Sequence, residues 1–142
     1  MNQLLRNWLA KKRFDTVRIS VGAQVVCTAR VADSFVTRLV GLLIDSAGSG
    51  HASLLLTKCR GIHTFGMPSA IDVVLLDCDA RIIKAQTVCP GSAFFHVRSR
   101  QVLELPPGSV VNYGLKSGSQ LVIAKSSSGG VIQRWIGSDV KE

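Results

Sequence analysis

The sequence predicts a mainly β fold, a small compact β-barrel-like single domain with few short helices. Short apolar runs separated by turn residues recur along the chain, which is the pattern of β-strands. β-Branched residues dominate several of these runs, and only two or three short segments have helical periodicity. A barrel is the most economical arrangement for such strands because it leaves no exposed sheet edge.

Length and composition favour one packed domain. The chain has 142 residues, of which 46% are hydrophobic and 18% charged, and this balance excludes a disordered protein. No apolar run approaches the roughly 18 residues that a membrane-spanning helix needs. Near the start, Arg6, Asn7 and Lys11 interrupt any apolar centre of a secretory signal. The sequence therefore predicts a cytoplasmic protein.

Charge and composition divide the chain into three parts. Residues 1–20 form a basic amphipathic segment, 21–125 the β-barrel domain, and 126–142 a flexible tail that begins with SSSGG. The net charge is +8, and residues 1–18 hold half of it. This predicts a basic protein in which residues 1–18 make weak contact with an anionic membrane. The other charges are dispersed, so nucleic acid is not an expected partner.

The first half of the chain is predicted to contain a helix near the start, from the spacing of Leu4, Leu5, Trp8 and Leu9. Residues 17–31 are predicted to form either one long strand or a hairpin that turns near Gly22. A helix is predicted over 35–43, followed by a loop over 45–52.

The second half begins with two almost wholly apolar runs, 54–57 and 71–76, which are typical of central strands covered on both faces. A tight turn at 77–80 is predicted to join the second run to a strand over 81–88. Residues 93–105 alternate and are predicted to be one strand, with a polar face and an apolar face. The polar face would carry His96, Arg98, Arg100 and Glu104, and the apolar face Val97, Leu103 and Leu105.

A last strand is predicted after one turn of helix. Ser109 is expected to cap a helical turn that ends at Gly114, and residues 121–125 are the predicted strand.

Residues 59–68, CRGIHTFGMP, stand between the two buried runs and are called the knot below. Polar side chains and two glycines between core-forming strands indicate a shaped site. Asp72 is expected to be partly buried and bonded to Arg60 or His63. Phe65 and Met67 could line an apolar pocket. The candidate ligand-binding residues are Arg60, His63, Thr64, Phe65, Met67, Asp72, Arg100 and Glu104.

The sequence predicts no catalytic residue, no metal site and no cofactor. Cys59 and His63 are four residues apart, a distance that is too long in a strand for a shared metal or a nucleophile and base pair. The four cysteines are spaced irregularly, which favours reduced and mostly buried thiols.

Several motifs resemble the DUF192 family, a bacterial and archaeal family of uncharacterised proteins. They are Gly-Leu-Leu at 41–43, the knot followed by Ile71-Asp72-Val73, the Asp-x-Asp turn at 77–79, and the 103–118 stretch LELPPGSVVNYGLKSG. The resemblance covers about residues 24–123 and implies a compact β-barrel-like fold, with no established reaction. Pro68 and Ser69 depart from the basic residue that many members have after the methionine.

The leading hypothesis for function is a non-enzymatic accessory module that binds a small ligand or a peptide segment in a pocket at the knot. One alternative is an enzyme that uses His63 and Asp72 as acid and base. A further alternative is peripheral attachment to a membrane or nucleic acid through the basic N-terminus.

Overall fold

The computed structural model describes residues 3–4, 15–32 and 53–125. They form a mainly β single domain with a curled, barrel-like sheet, as the sequence predicted. The strands are β1 (Thr16–Val21), β2 (Gln24–Ala32), β3 (Ser53–Thr57), β4 (Gly61–His63), β5 (Ile71–Leu76), β6 (Ile82–Val88), β7 (Ala93–Phe95), β8 (Gln101–Leu105) and β9 (Leu121–Lys125), with one helical turn, α1 (Ser109–Asn112), between β8 and β9.

Seven strands form one sheet in the order β6-β5-β8-β3-β2-β1-β9, and β4 pairs with β7 in a separate small sheet. All neighbouring strands are antiparallel except β2 and β3. The two edges of the large sheet meet at one end, where Ile82 N–H donates to Ser119 O at 2.9 Å and Leu121 N–H to Ala80 O at 3.0 Å. These bonds join the start of β6 to the start of β9, which gives the sheet its barrel-like curl.

The strands β3 and β5 are buried on both faces, as their near-continuous apolar sequences predicted. β8 is buried on both faces as well, although a polar face was predicted for it. One face belongs to the barrel interior and includes Leu55, Val74 and Leu103. The other face forms a second cluster, to which Phe94 of the small sheet contributes. The second cluster therefore attaches the small sheet to the large one.

The hairpin predicted at 77–80 is confirmed, and of the two possibilities for 17–31 the structure shows the hairpin. The β1–β2 turn passes through Gly22, whose φ of 55° lies in the left-handed region. In the β5–β6 turn, Asp77 Oδ1 accepts the N–H groups of Asp79 and Arg81 at 2.9 and 3.0 Å. This is the self-bonding that makes aspartate a turn residue.

The prediction of one continuous strand over 93–105 is wrong. The chain forms β7, then a loop at 96–100, then β8. Arg100 holds this loop, because its guanidinium donates to Val97 O at 3.0 Å and to Ser99 O at 2.9 Å. The loop also changes the alternation, so that Val97 is 61% exposed and Glu104 is buried, the reverse of the prediction.

The helical turn at 109–112 is confirmed, but its cap is Gly108 and not Ser109. Ser109 is the first helical residue, and its hydroxyl donates to Pro106 O at 2.6 Å. At the other end, Leu115 N–H donates to Val110 O and Gly114 N–H to Val111 O. Gly114 has a φ of 61°, so this end is a Schellman motif.

Several predictions fall outside the described residues, namely the helix at 35–43, the loop at 45–52, the tail at 126–142 and most of the segment 1–20. Residues 3 and 4 are helical. Where the structure describes the chain, no helix is long and apolar enough to cross a bilayer.

Candidate functional site

Thr64 joins the knot to the turn that precedes β7. Its side chain is fully buried, and its hydroxyl donates to Cys89 O at 2.7 Å and accepts Ser92 N–H at 2.9 Å. Backbone bonds support the same junction: Thr64 N–H donates to Ser92 O, and Thr64 O accepts Gly91 N–H. Thr64 is therefore a structural centre of the knot, and its polar groups face inward.

Gly61 allows β4 and β7 to approach closely. It stands opposite Phe95 in the β4–β7 register. A Cβ at position 61 would lie 2.5 Å from Phe94 O and 2.6 Å from Phe95 Cα, and closer still to Phe95 Cβ. These are backbone atoms or atoms next to the backbone, which cannot move aside cheaply. The strands β4 and β7 can therefore pair this closely only because residue 61 has no side chain.

The two faces of the small sheet have different surroundings. Ile62 and Phe94 are register partners, and both pack on the second apolar cluster. Side chains alternate along a strand, so the neighbouring positions belong to the outer face. His63 and Phe95 lie on that face, and both are exposed.

We define the aromatic surface as His63, Phe65 and Phe95. The rings of His63 and Phe65 lie 5.3 Å apart between centroids, tilted by 32°. Phe95 is the diagonal cross-strand neighbour of His63, a separation that aromatic side chains can span. Phe65 is 64% exposed and Phe95 65% exposed. Large apolar side chains that are grouped and exposed in this way mark interaction sites more often than single ones do.

Asp72 has partners that differ from the expected ones. It is fully buried on β5, two residues before Val74 and therefore on the same face of the strand, which is the barrel interior. Its Oδ1 accepts the hydroxyl of Thr87 at 2.6 Å, and its Oδ2 accepts Val110 N–H at 2.8 Å. The expectation of a partly buried carboxylate bonded to Arg60 or His63 is therefore wrong. Asp72 instead links β5 and β6 to α1.

The remaining candidates are spread over the domain. Arg60 is exposed and its carbonyl accepts His96 N–H at 3.0 Å, which places it beside the aromatic surface. Met67 is half-buried, and its N–H donates to Thr64 O. Arg100 lies in the loop after β7, whereas Glu104 is buried in β8 opposite Leu54. Arg60 and the 96–100 loop thus adjoin β4 and β7 in the chain, whereas Asp72 and Glu104 are buried in strands of the large sheet.

The acid and base pair of the enzymatic alternative is not joined in this structure. Asp72 bonds to Thr87 and Val110, and the ring of His63 contacts Phe65. No hydrogen bond connects the two among the described residues. The geometry therefore gives that alternative no specific support.

All four cysteines are free thiols. Cys59 is buried and its Sγ donates to Gly61 O at 3.0 Å, while Cys78 and Cys89 are exposed, so the expectation of mostly buried thiols is wrong for these two. Burial raises the pKa of the Cys27 thiol, and a hydrogen bond with Ser53 partly offsets this. Within 3–4, 15–32 and 53–125, no group of three histidine, cysteine or acidic residues is placed to hold a metal.

Sequence reasoning missed Phe95, Thr87 and Val110. Phe95 was part of the predicted strand at 93–105, but alternation alone does not show which face meets solvent when the strand belongs to a separate small sheet. Thr87 and Val110 lie 15 and 38 residues from Asp72 in sequence. No local signal connects such distant partners.

Two buried threonines are predicted to respond in opposite ways to replacement by valine, which exchanges the hydroxyl for a methyl group of similar size. Thr64→Val should lower the free energy of unfolding by about 1–3 kcal/mol, because Ser92 N–H loses its acceptor. Thr57 Oγ1 is buried and has no partner among the described residues. Thr57→Val should therefore raise the unfolding free energy by up to about 1 kcal/mol. Urea denaturation of both variants measures the difference, and an equal loss in both would contradict this reading.

These observations define the class of protein: a single β-barrel-like domain with a small attached sheet that presents an aromatic surface. The family model of DUF192, described as "Uncharacterized ACR", matches residues 16–123. The chain belongs to the DUF192 family.

The names of proteins similar to this chain state no established activity. The UPF0127 protein PH1112 of Pyrococcus horikoshii is 32% identical over 83 residues, which cover 56% of this chain and 72% of that protein. A crystal structure of a protein of unknown function from Novosphingobium aromaticivorans has a TM-score of 0.60 and 13% identity, covering 75% of this chain and 82% of that one.

A second crystal structure resembles this fold. It is of a putative transcription regulator from Sinorhizobium meliloti, with a TM-score of 0.62 and 18% identity, and the match covers 78% of this chain and 94% of that one. At such identities, both crystal structures show a likeness of fold and nothing of function.

Proposed function

We propose that this chain is a non-enzymatic binding or accessory module whose aromatic surface recognises a peptide segment or a small ligand. The observation that carries the proposal is the exposure of Phe65 and Phe95, about two thirds each. Phe95 lies on a small sheet whose other face is anchored in the core, and the ring of Phe65, just after β4, contacts that of His63. An isolated exposed phenylalanine needs no explanation, but neighbouring aromatic side chains on a rigid support form a typical anchor site.

The candidate residues divide into two roles in this proposal. His63 and Phe65 contact the ligand, with Arg60 and Met67 at the margin. Thr64 maintains the shape of the knot from inside, since its hydroxyl is fully used by Cys89 and Ser92. Asp72 supports the barrel at a distance from the surface, through Thr87 and Val110.

The test is selection of a random peptide library displayed on phage against the purified full chain, with binding of the selected peptides measured by fluorescence anisotropy. We expect peptides whose affinity falls at least about tenfold for Phe65→Ala combined with Phe95→Ala, because truncation of an aromatic anchor costs about 2 kcal/mol or more.

The control is Val111→Ala, which removes an apolar side chain that is 84% exposed in α1. It should leave binding unchanged. Thermal melting of each variant verifies that it is folded. If no selected peptide depends on Phe65 and Phe95, the aromatic surface is not a peptide site, and the same variants are then compared in a thermal-shift screen of common metabolites. Failure of both screens would exclude the proposed function.

A further inference from the structure

The two stretches of chain that supply the aromatic surface are basic and contain no acidic residue. Lys58, Arg60, Arg98 and Arg100 are all exposed. No Asp or Glu occurs in 46–71 or in 80–103, the two stretches that supply β4, β7 and the loops beside them. Lys58, the knot and the 96–100 loop together therefore carry a local charge of +4, counted with neutral histidines.

Three of these four cations are available to a partner. The Arg100 guanidinium already donates to Val97 O and Ser99 O. The side chains of Lys58, Arg60 and Arg98 have no hydrogen bond or ion pair with any residue that the structure describes. Unpaired cations in the same stretches of chain as exposed phenylalanines favour a partner that combines negative charge with an apolar group.

The backbone of β4 distinguishes a peptide from other acidic partners. Hydrogen bonds connect Arg60 with His96 and Thr64 with Ser92, so the intervening odd-numbered residues direct their N–H and C=O groups away from β7. His63 is one of these residues, and its backbone groups have no hydrogen-bond partner in the described part of the chain. An outward-directed N–H and C=O pair at a strand edge is what an extended peptide pairs with when it adds a strand.

We infer that the occupant of the aromatic surface is an acidic peptide segment, extended along the outer edge of β4, with an aromatic or aliphatic side chain against Phe65 and Phe95 and its carboxylates near Lys58, Arg60 and Arg98. This inference rests on the proposed function and specifies its partner. A nucleic acid single strand and an anionic lipid surface share the negative charge, but neither has an amide backbone to pair with His63.

The test compares fluorescein-labelled peptides that differ only in charge. The acidic probe is Asp-Glu-Phe-Val-Phe-Glu-Asp, and the matched peptides replace every acidic residue by serine or by lysine. Anisotropy titration of the full chain should show binding of the acidic probe, at least about tenfold weaker binding of the serine peptide, and none of the lysine peptide. Affinity for the acidic probe should fall as salt is raised.

Charge variants locate the contact. Arg60→Gln combined with Arg98→Gln should lower the affinity for the acidic probe by about tenfold and reduce the salt dependence of its binding. Lys84→Gln is the control, because Lys84 is an exposed cation on β6 of the large sheet, outside the knot and the 96–100 loop. It should leave the affinity unchanged. An equal loss in both would mean that net charge alone attracts the probe, and would overturn the inference.

Two further results would overturn the acidic partner and leave the proposed function standing. One is equal affinity for the acidic and serine peptides, with both lost in Phe65→Ala combined with Phe95→Ala. The other is binding of an oligothymidine strand or of phosphatidylserine vesicles that depends on Arg60 and Arg98 while the acidic probe does not bind. Absence of any ligand that depends on Phe65 and Phe95 would instead remove the proposed function itself.

Discussion

Gly61→Ala is expected to lower the free energy of unfolding by about 3 kcal/mol, at the upper end of the usual cost of overpacking. The added Cβ would lie 2.5 Å from Phe94 O and would overlap the Cβ of Phe95. Relief requires β4 and β7 to separate, which would displace Ile62 and Phe94 from the second apolar cluster. Urea denaturation monitored by circular dichroism measures the change.

Gly66→Ala is the matched control within the knot. Gly66 has a φ of 79°, and a Cβ there would meet nothing within 4 Å. Its replacement should therefore cost only the left-handed conformation, about 1–2 kcal/mol. Gly61 is not in the left-handed region, so the whole loss of stability expected for Gly61→Ala comes from steric overlap. A smaller loss for Gly61→Ala than for Gly66→Ala would show that the small sheet is not packed as described.

Asp72→Ala is expected to lower the unfolding free energy by about 3 kcal/mol. The substitution leaves the backbone N–H of Val110 without its acceptor, removes the partner of Thr87 and creates a cavity. Asp72→Asn should cost less, about 1 kcal/mol, because an amide can accept from Val110 N–H and donate to the Thr87 hydroxyl. Thermal melting and urea denaturation measure both variants.

Asp79→Ala provides the control for removal of a carboxylate. Asp79 is exposed in the β5–β6 turn, and its replacement should change the unfolding free energy by no more than about 0.5 kcal/mol. Ligand binding at the aromatic surface should be kept in Asp72→Asn, since Asp72 is not part of that surface. Loss of binding in a folded Asp72→Asn protein would show that the site extends to β5.

The fold was predictable where the signal is local. The run at 71–76 contains one polar residue and is a central strand, because only a strand covered on both faces can bury so many consecutive apolar side chains. Gly114 ended a helix as expected, since its left-handed φ is what a Schellman motif requires. In contrast, the break between β7 and β8 depends on bonds from the Arg100 guanidinium to two carbonyls, and no periodicity reports such bonds.

The sequence predicted where the candidate site lies better than it predicted which residues form it. His63, Phe65 and Arg60 were selected because a polar knot between two buried strands must adopt a defined shape, and all three are exposed at or beside the aromatic surface. Asp72 and Thr64 were selected for the same reason, yet both are fully buried and bonded internally. Sequence shows that a polar side chain lies close to core strands, but its depth depends on what the rest of the chain places over it.

By itself the sequence determined the mainly β class, most of the strands, the hairpin turns and the region of the knot, because apolar alternation and turn chemistry act over a few neighbouring residues. Only the tertiary structure decided that Phe95 stands beside His63, that Asp72 bonds to Val110 and that β4 and β7 form a sheet of their own. Those contacts join residues up to 38 positions apart in sequence. They are selected by the packing of the whole chain, which no short window of sequence contains.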